Sequence, residues 1–497
     1  MASGRVVVIG SGPCGSMAAW QLVKCGIPVT MLESGSRRPE GLLLRALGRN
    51  IYRKKPDGNF GSDCATHRAS GDPKTKWYYC LSLGGLSNHW TGAVPRFAPE
   101  DFTEGARLHQ AYEWPVSYDE LVPYYERTER LMGVVASGRD VPNLPGGYAD
   151  DRRELPKDWQ EVADTVASMG QGLTTLPIAD GPRNLVAPRG TAFNSYTSLV
   201  EPLLGSAMFS LKQGAHALRL EWSGAKQRVT GVVYRDAVDG LEHRLEGDAF
   251  VVAGGPLQTT RLLFDSVSSD FPHGLGNSRD MLGRYLHDHP REWWVLQVKK
   301  PMSRLSPSIY LTRRAYRDAE PLLATSWTLG APSTKEKLMS FTPLKATEFG
   351  VQVFGTMIPT PDTRVTLIPG SQDATGASLL DIAIRFDEAS LRNLAGAQER
   401  LLELMDAAGV PSMIQPVPPD QVTPGSAVHY GGTARMHRSP EYGVVDGRSR
   451  LFDASNVIVA DAASFTTGAE KNPTLTAMAL AARACERLAG DLKSGQA

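Results

Sequence analysis

Residues 5–35, RVVVIGSGPCGSMAAWQLVKCGIPVTMLESG, decide the fold. Arg5 to Ile9 is an apolar, β-branched run after its first residue, the pattern of a strand buried on both faces of a parallel sheet. Gly10, Gly12 and Gly15 follow at the spacing G-x-G-x-x-G. In that spacing the first glycine permits a tight turn and the second lets backbone approach a pyrophosphate. The third lets the next helix pack closely on the strand. A helix is expected from Ser16 to Cys25, with its N-terminal N–H groups aimed at the phosphates, where the helix dipole favours negative charge. The second strand, PVTML, ends at Glu33, eighteen residues after Gly15, where a carboxylate can accept hydrogen bonds from a ribose. Strand, turn, helix and acid together read as an α/β dinucleotide cradle built from Gly10, Ser11, Gly12, Pro13, Cys14, Gly15 and Glu33.

At 497 residues the chain exceeds one ordinary core and implies two or three domains. Lys+Arg and Asp+Glu are equal at 53 each, so net charge argues for neither nucleic acid nor an anionic membrane as partner. No run of about 18 apolar residues exists to span a bilayer. The cysteines (Cys14, Cys25, Cys64, Cys80, Cys485) form no CxxC pair and no Cys/His cluster at zinc spacing, which argues against a disulfide framework and a structural metal. The N-terminus MASGRVVVIG enters a strand almost at once, so a cytoplasmic protein without a signal peptide is expected.

The far end of the chain carries the second signal. NVIVAD reads as a strand ending at Asp461, and NPTLTAMALAARACERL has helical periodicity. Pro473 suits the start of that helix, where its missing N–H costs nothing, and Asn472 suits its cap.

With these pieces in view, the chain resembles the glucose–methanol–choline (GMC) family of FAD-dependent alcohol oxidoreductases over nearly its whole length. The resemblance rests on VVVIGSGPCGS, the GG-x-x-x-x-W segment around His89, FVVAGGPLQTTRLLFDS from Phe250, and GRYLHDHP from Gly283. PDTRVTLIPGSQDATG from Pro361 and the C-terminal H-x-x-G-T and N-P-T complete it. It implies a Rossmann-like FAD-binding domain joined to a substrate-binding domain built on an antiparallel sheet. Residues 1–105, 185–292 and 415–497 would form the first, and 106–184 and 293–414 the second with its lid. LKQGAHALRLEWSGAKQRVTGVVYRDAVDGLEHRLEGDAFVVAGG reads as a β-meander feeding a strand that ends at Ala253. WWVLQV, GVQVFGTMI, RVTLI and LLDIAIRF read as strands of the substrate domain, SLRNLAGAQERLLELMDAAGV as one amphipathic helix, and DRRELPKDWQ as a solvated connector.

The resemblance also implies roles. Glu33 on a strand this close to the N-terminus favours FAD over NAD and disfavours a 2′-phosphate, and Ala217 would meet the adenine. Asp461, Ala462, Pro473 and Thr474 would lie at the flavin, where a helix N-terminus stabilises charge on the reduced ring. Oxidising an alcohol needs an acceptor for the hydroxyl proton within about 3 Å and with a pKa near the working pH. His429 of the H-x-x-G-T motif is the implied base, and Asn472 the partner that holds the same oxygen.

His67, His216 and His273 read as structural, and His437 as either a second site group or a turn cap. His287 and His289 flank Asp288 at a spacing that invites a metal, but no third ligand cluster accompanies them, so no metal is expected.

In LGGLSNHWTG, from Leu83, the glycine pair with Gly85 would let backbone pass the flavin, and Asn88, His89 and Trp90 would line one side of the ring. The wording is most similar to the pyranose oxidase branch, in which the histidine matching His89 can bond covalently to the flavin. Asn88 departs from that branch's threonine, and stacking or hydrogen bonding is the reading taken. The implied substrate is a hydroxyl of a sugar, glycoside or aminoglycoside-like metabolite, with Trp293, Trp294 and the WYY run at Trp77 as aromatic platforms. Oxygen or another acceptor would take the electrons, and oligomeric state stays open. The alternative is a non-redox, FAD-containing lyase of the hydroxynitrile lyase type.

Overall fold

Val6–Ile9 (β1) is buried along its whole length, as its unbroken apolar sequence requires. Pro13–Lys24 (α1) follows and starts three residues earlier than expected, because Pro13 is preset for a first helical turn. Val29–Glu33 (β2) then returns beside β1 in parallel register. The computed structural model describes residues 5–36, 60–61, 67–72, 75, 77–181, 193–305, 308–313, 321–330, 345–415 and 422–496; Cys64 lies outside them.

Around β1 the chain builds a five-stranded parallel sheet in the order Phe209–Gln213, β2, β1, Ala249–Val252, Val457–Val459. Its strands come from the start, middle and end of the chain. The C-terminal helix Thr474–Ser494 packs against α1, burying Met478, Ala482 and Cys485. The expected meander is thus divided. Ala215–Ser223, Arg228–Asp236 and Glu242–Glu246 form an antiparallel sheet, whereas LKQ before them and FVV after them join the parallel one.

A six-stranded sheet runs Ser412–Gln415, Arg291–Ser303, Lys345–Gly355, Thr325–Gly330, Ile309–Leu311, Leu173–Thr175, with every pairing antiparallel. Helices Lys157–Ser168 and Ala397–Ala407 pack in the same core as one of its faces, around Trp159, Trp294 and Trp327.

Several local expectations change here. RVTLI and LLDIAIRF are strands, but they pair with each other and with His67–Ala69 in a separate sheet. The single amphipathic helix is two, Glu388–Ala395 and Ala397–Ala407, separated at Gly396. DRRELPKDWQ is no free connector. Asp151–Arg152 is a short strand, and Lys157 opens a helix whose Trp159 is fully buried and donates to the Ser303 carbonyl.

A buried ionic cluster ties the six-stranded sheet to the C-terminal loop. The Lys471 ammonium lies 2.8 Å from Asp101 and 2.7 Å from Glu470. The Arg313 guanidinium reaches the same two carboxylates at 3.3 and 3.2 Å. Buried charges persist when paired in this way. Among the described residues no helix is long and apolar enough to cross a membrane.

Candidate active site

The turn after β1 opens a cleft lined by Gly10, Ser11, Gly12, Pro13 and Cys14, by Glu33, Gly85, Ala217 and Ala253, and by Asp461. The glycines have separate reasons to be there. Gly10 sits at φ +100°, and a Cβ on Gly15 would stand 2.0 Å from the Gly10 carbonyl oxygen. At Gly12 a Cβ would meet nothing within 4 Å, so its open side faces the cleft. Glu33 Oε2 accepts from the Ser11 N–H and hydroxyl at 2.8 and 2.7 Å, and Oε1 accepts from the Gly35 N–H at 2.8 Å. Burial raises its pKa, and those bonds hold the rise back. At the other wall Asp461 accepts from Gly255, Thr259 and Ala463. Gly15, Ala462, Pro473 and Thr474 are not in the lining; Ala462 instead accepts from the Gly432 N–H at 3.1 Å.

The second focus is His429. Its Nε2 lies 3.0 Å from Asn472 Nδ2, and its Nδ1 lies 3.1 Å from His289 Nδ1. The main chain explains the meeting. His287 and Gly431 exchange backbone bonds in an antiparallel bridge. Two residues on from His287 and two back from Gly431, that register sets His289 opposite His429. The glycines of the motif are what allow it: a Cβ on Gly432 would stand 2.2 Å from the Tyr285 oxygen, and one on Gly431 2.4 Å from His287 Nε2. Asp288 Oδ1 accepts the His429 N–H at 3.0 Å and Oδ2 the Gly425 N–H at 2.8 Å, clamping both ends of the turn.

These contacts select tautomers. The Asn472 amide nitrogen can only donate, so His429 Nε2 accepts and, in the neutral ring, Nδ1 carries the hydrogen toward His289 Nδ1. His429 Nε2 is left with a lone pair, facing the Asn472 amide hydrogen. Burial, then the Arg291 charge, push the His429 pKa down to about 3, which keeps the ring unprotonated but sets it below the range expected of a working base. His289 is held well below its ordinary value, by burial first. Both rings are neutral.

Several assignments need correction. Asn472 does not cap the helix with its side chain; Pro473 occupies the cap position without a side-chain bond, and the Asn472 amide is committed to His429. Asn88, His89 and Trp90 are absent from the cleft lining, and Asn88 and Trp90 bond instead to the adjacent residues Asn194 and Phe193. Gly85–Asn88 is one turn of 3-10 helix, which spreads successive side chains around an axis. Asn88 bonds Ser82, the Leu83 carbonyl and Asn194, whereas Trp90 donates to the Phe193 carbonyl at 2.9 Å. Trp77 and Trp294 are core, Tyr78 and Tyr79 of the WYY run are half-buried in the cleft lining, and Trp293 is 36% exposed. His437 caps a turn, accepting from the Ser439 N–H at 3.0 Å. His216 lines the cleft, between the Ser34 hydroxyl and Arg261.

Sequence reasoning missed His289 and Asp288 as supports of His429. The available signal is the H-D-H spacing within GRYLHDHP, which suggests a metal before it suggests support for a distant histidine. No cluster of three His, Cys, Asp or Glu that could hold a metal occurs among the described residues.

Burial holds His287 near pKa 4, so it stays neutral in the fold while the unfolded chain gains a proton below about 6.5. Its folded pKa is depressed and its neutral form is the native one, so stability falls as pH drops from about 6.5 toward 4. Urea titrations at pH 7 and 4.5 are expected to show wild type losing up to about 2 kcal/mol relative to His287→Gln over that interval. A difference independent of pH would remove the buried neutral imidazole from the account.

Comparison with known proteins agrees with this geometry. Residues 359–481 match the family described as GMC oxidoreductase. The chain is 27% identical to the fructose dehydrogenase large subunit of Gluconobacter japonicus, covering 99% of both. It is 28% identical to the 6'''-hydroxyparomomycin C oxidase of Streptomyces lividus, covering 99% of this chain and 92% of that one. Pyridoxine 4-oxidase from Mesorbium loti superposes with a TM-score of 0.70 at 19% identity, covering 97% of this chain and 98% of that one.

Proposed function

The chain belongs to the GMC oxidoreductase family and is an alcohol oxidoreductase, and on that premise we propose that it oxidises a hydroxyl of a sugar or glycoside to a carbonyl, with His429 as base. One observation carries the reading: His429 presents an unprotonated Nε2 beside the Asn472 amide, while His289 fixes the ring from behind. A substrate hydroxyl entering between the two would give its proton to Nε2 and accept a hydrogen bond from Asn472 Nδ2. Its C–H is thereby oriented.

The cleft suits FAD. Gly12 leaves open space where a pyrophosphate would lie, α1 directs its N-terminus there, and Glu33 lies at the ribose end. A flavin bound there supplies the hydride acceptor. Gly10, Ser11, Gly12, Pro13, Cys14, Glu33, Gly85, Ala217, Ala253 and Asp461 would hold the dinucleotide, and Ala462, Pro473 and Thr474 the ring end. His89 is kept as a neighbour of the ring without a covalent bond assigned. The relatives named above are a dehydrogenase and an oxidase, which favours oxidation over the lyase alternative.

Purified protein should be yellow, and anaerobic addition of monosaccharides, glycosides and aminoglycosides should bleach its visible absorbance with at least one of them. Retained colour with every alcohol, together with cyanohydrin cleavage, would replace this reading with the lyase.

A further inference from the structure

The two faces of the six-stranded sheet differ in chemistry. Trp294, Leu296, Val351 and Val353 point into the helix-backed core. Alternation along each strand therefore sends Arg291, Trp293, Gln352 and Phe354 to the opposite face. Register agrees: Arg291 pairs directly with Phe354, and Trp293 with Gln352, and paired side chains share a face. The Phe354 ring lies 5.1 Å from the His429 ring, so this face looks onto the His429–Asn472 pair.

Arg291 is the charged group of that face that lies near His429, Glu348 being farther along the same ladder opposite Gln297. Its side chain is half-buried and makes no hydrogen bond or ion pair within 4 Å among the described residues. The nearby Asp288 carboxylate attracts it without bonding it, its oxygens being taken by the Gly425 and His429 N–H groups. A guanidinium partly withdrawn from water, with Asp288 attracting it only at longer range and no acceptor bonded to it, has N–H donors that nothing in the described fold occupies. A carboxylate is the complementary partner, because the planar fork donates two parallel hydrogen bonds to it.

We propose that Arg291 receives a carboxylate of the substrate, so that the alcohol oxidised at His429 belongs to a hydroxy acid or an acidic sugar. This rests on the oxidoreductase reading of the His429 site. Trp293, two residues along the strand on the same face, supplies an apolar plate for the carbon skeleton. An amine-bearing sugar would meet like charge at the same place.

Calorimetric binding to the flavoprotein under nitrogen tests the assignment with matched probes, gluconate against glucitol and glucuronate against glucose, and with glucosamine as the cationic arm. In at least one pair the carboxylate should bind about tenfold or more tighter than its neutral partner. Arg291→Gln should erase that preference while keeping flavin content and melting temperature, and Arg291→Lys should keep part of it. Equal binding within both pairs, a preference that survives Arg291→Gln, or tighter binding of glucosamine than glucose would overturn the proposal. Flavin bleaching by neutral sugars without any carboxylate preference would leave the oxidoreductase reading standing and remove this one. A carboxylate preference lost in Arg291→Gln, with no bleaching by any alcohol, would do the reverse.

Discussion

Replacing His429 with Ala is expected to slow anaerobic flavin reduction by about 10²- to 10⁴-fold, the range that a positioned general base supplies. A thousandfold loss corresponds to about 4 kcal/mol of barrier. The flavin should stay bound, because the His429 side chain is not in the cleft lining, which its neighbour Tyr430 reaches instead. Stopped-flow reduction with a bleaching substrate measures the loss, and flavin absorbance against protein measures retention. Unchanged reduction in the variant would take His429 out of the base role. Loss of flavin would instead show that the ring depends on this side chain for its seat.

The other large effect is expected at Gly12. Its φ of −62° and ψ of −178° suit any residue, and a Cβ meets nothing within 4 Å, so Gly12→Val should fold. Its side chain would fill the space a pyrophosphate needs, and the purified variant is expected to be colourless. Gly15→Val makes the contrast. With a Cβ only 2.0 Å from the Gly10 carbonyl oxygen, it cannot keep the turn, and it should lose both colour and solubility. Circular dichroism separates the two. A folded, fully yellow Gly12→Val protein would move the dinucleotide elsewhere.

Much of this architecture was legible in the sequence where its causes are local. The spacing of Gly10, Gly12 and Gly15 could be read because each has a local reason: a positive φ at Gly10, open space at Gly12 and the Gly10 carbonyl against Gly15. His429 and Asn472 could be named from their motifs, although they meet across 43 positions. His289 could not, since its value depends on the bridge between His287 and Gly431, which no local pattern announces. The Asn88-His89-Trp90 stretch misled for a related reason. Adjacent letters suggested one wall of the cleft, but the 3-10 turn ends at Asn88, which bonds Asn194, and Trp90 beyond it bonds the Phe193 carbonyl, both outside the cleft lining. The break at Gly396 was hidden because apolar periodicity continues through it. Likewise β-propensity marked 364–383 as strands without saying which sheet would accept them.

The parallel sheet that takes its strands from both ends of the chain also sets an order of events at the ribosome. Synthesis runs from the N-terminus, so β1, α1 and β2 emerge hundreds of residues before Val457–Val459, Asp461 and the C-terminal helix. The nascent chain carries half a pocket for most of its translation. Flavin loading therefore waits for release of the last segment, and a transcript cut short near its end yields a colourless polypeptide rather than a weaker enzyme.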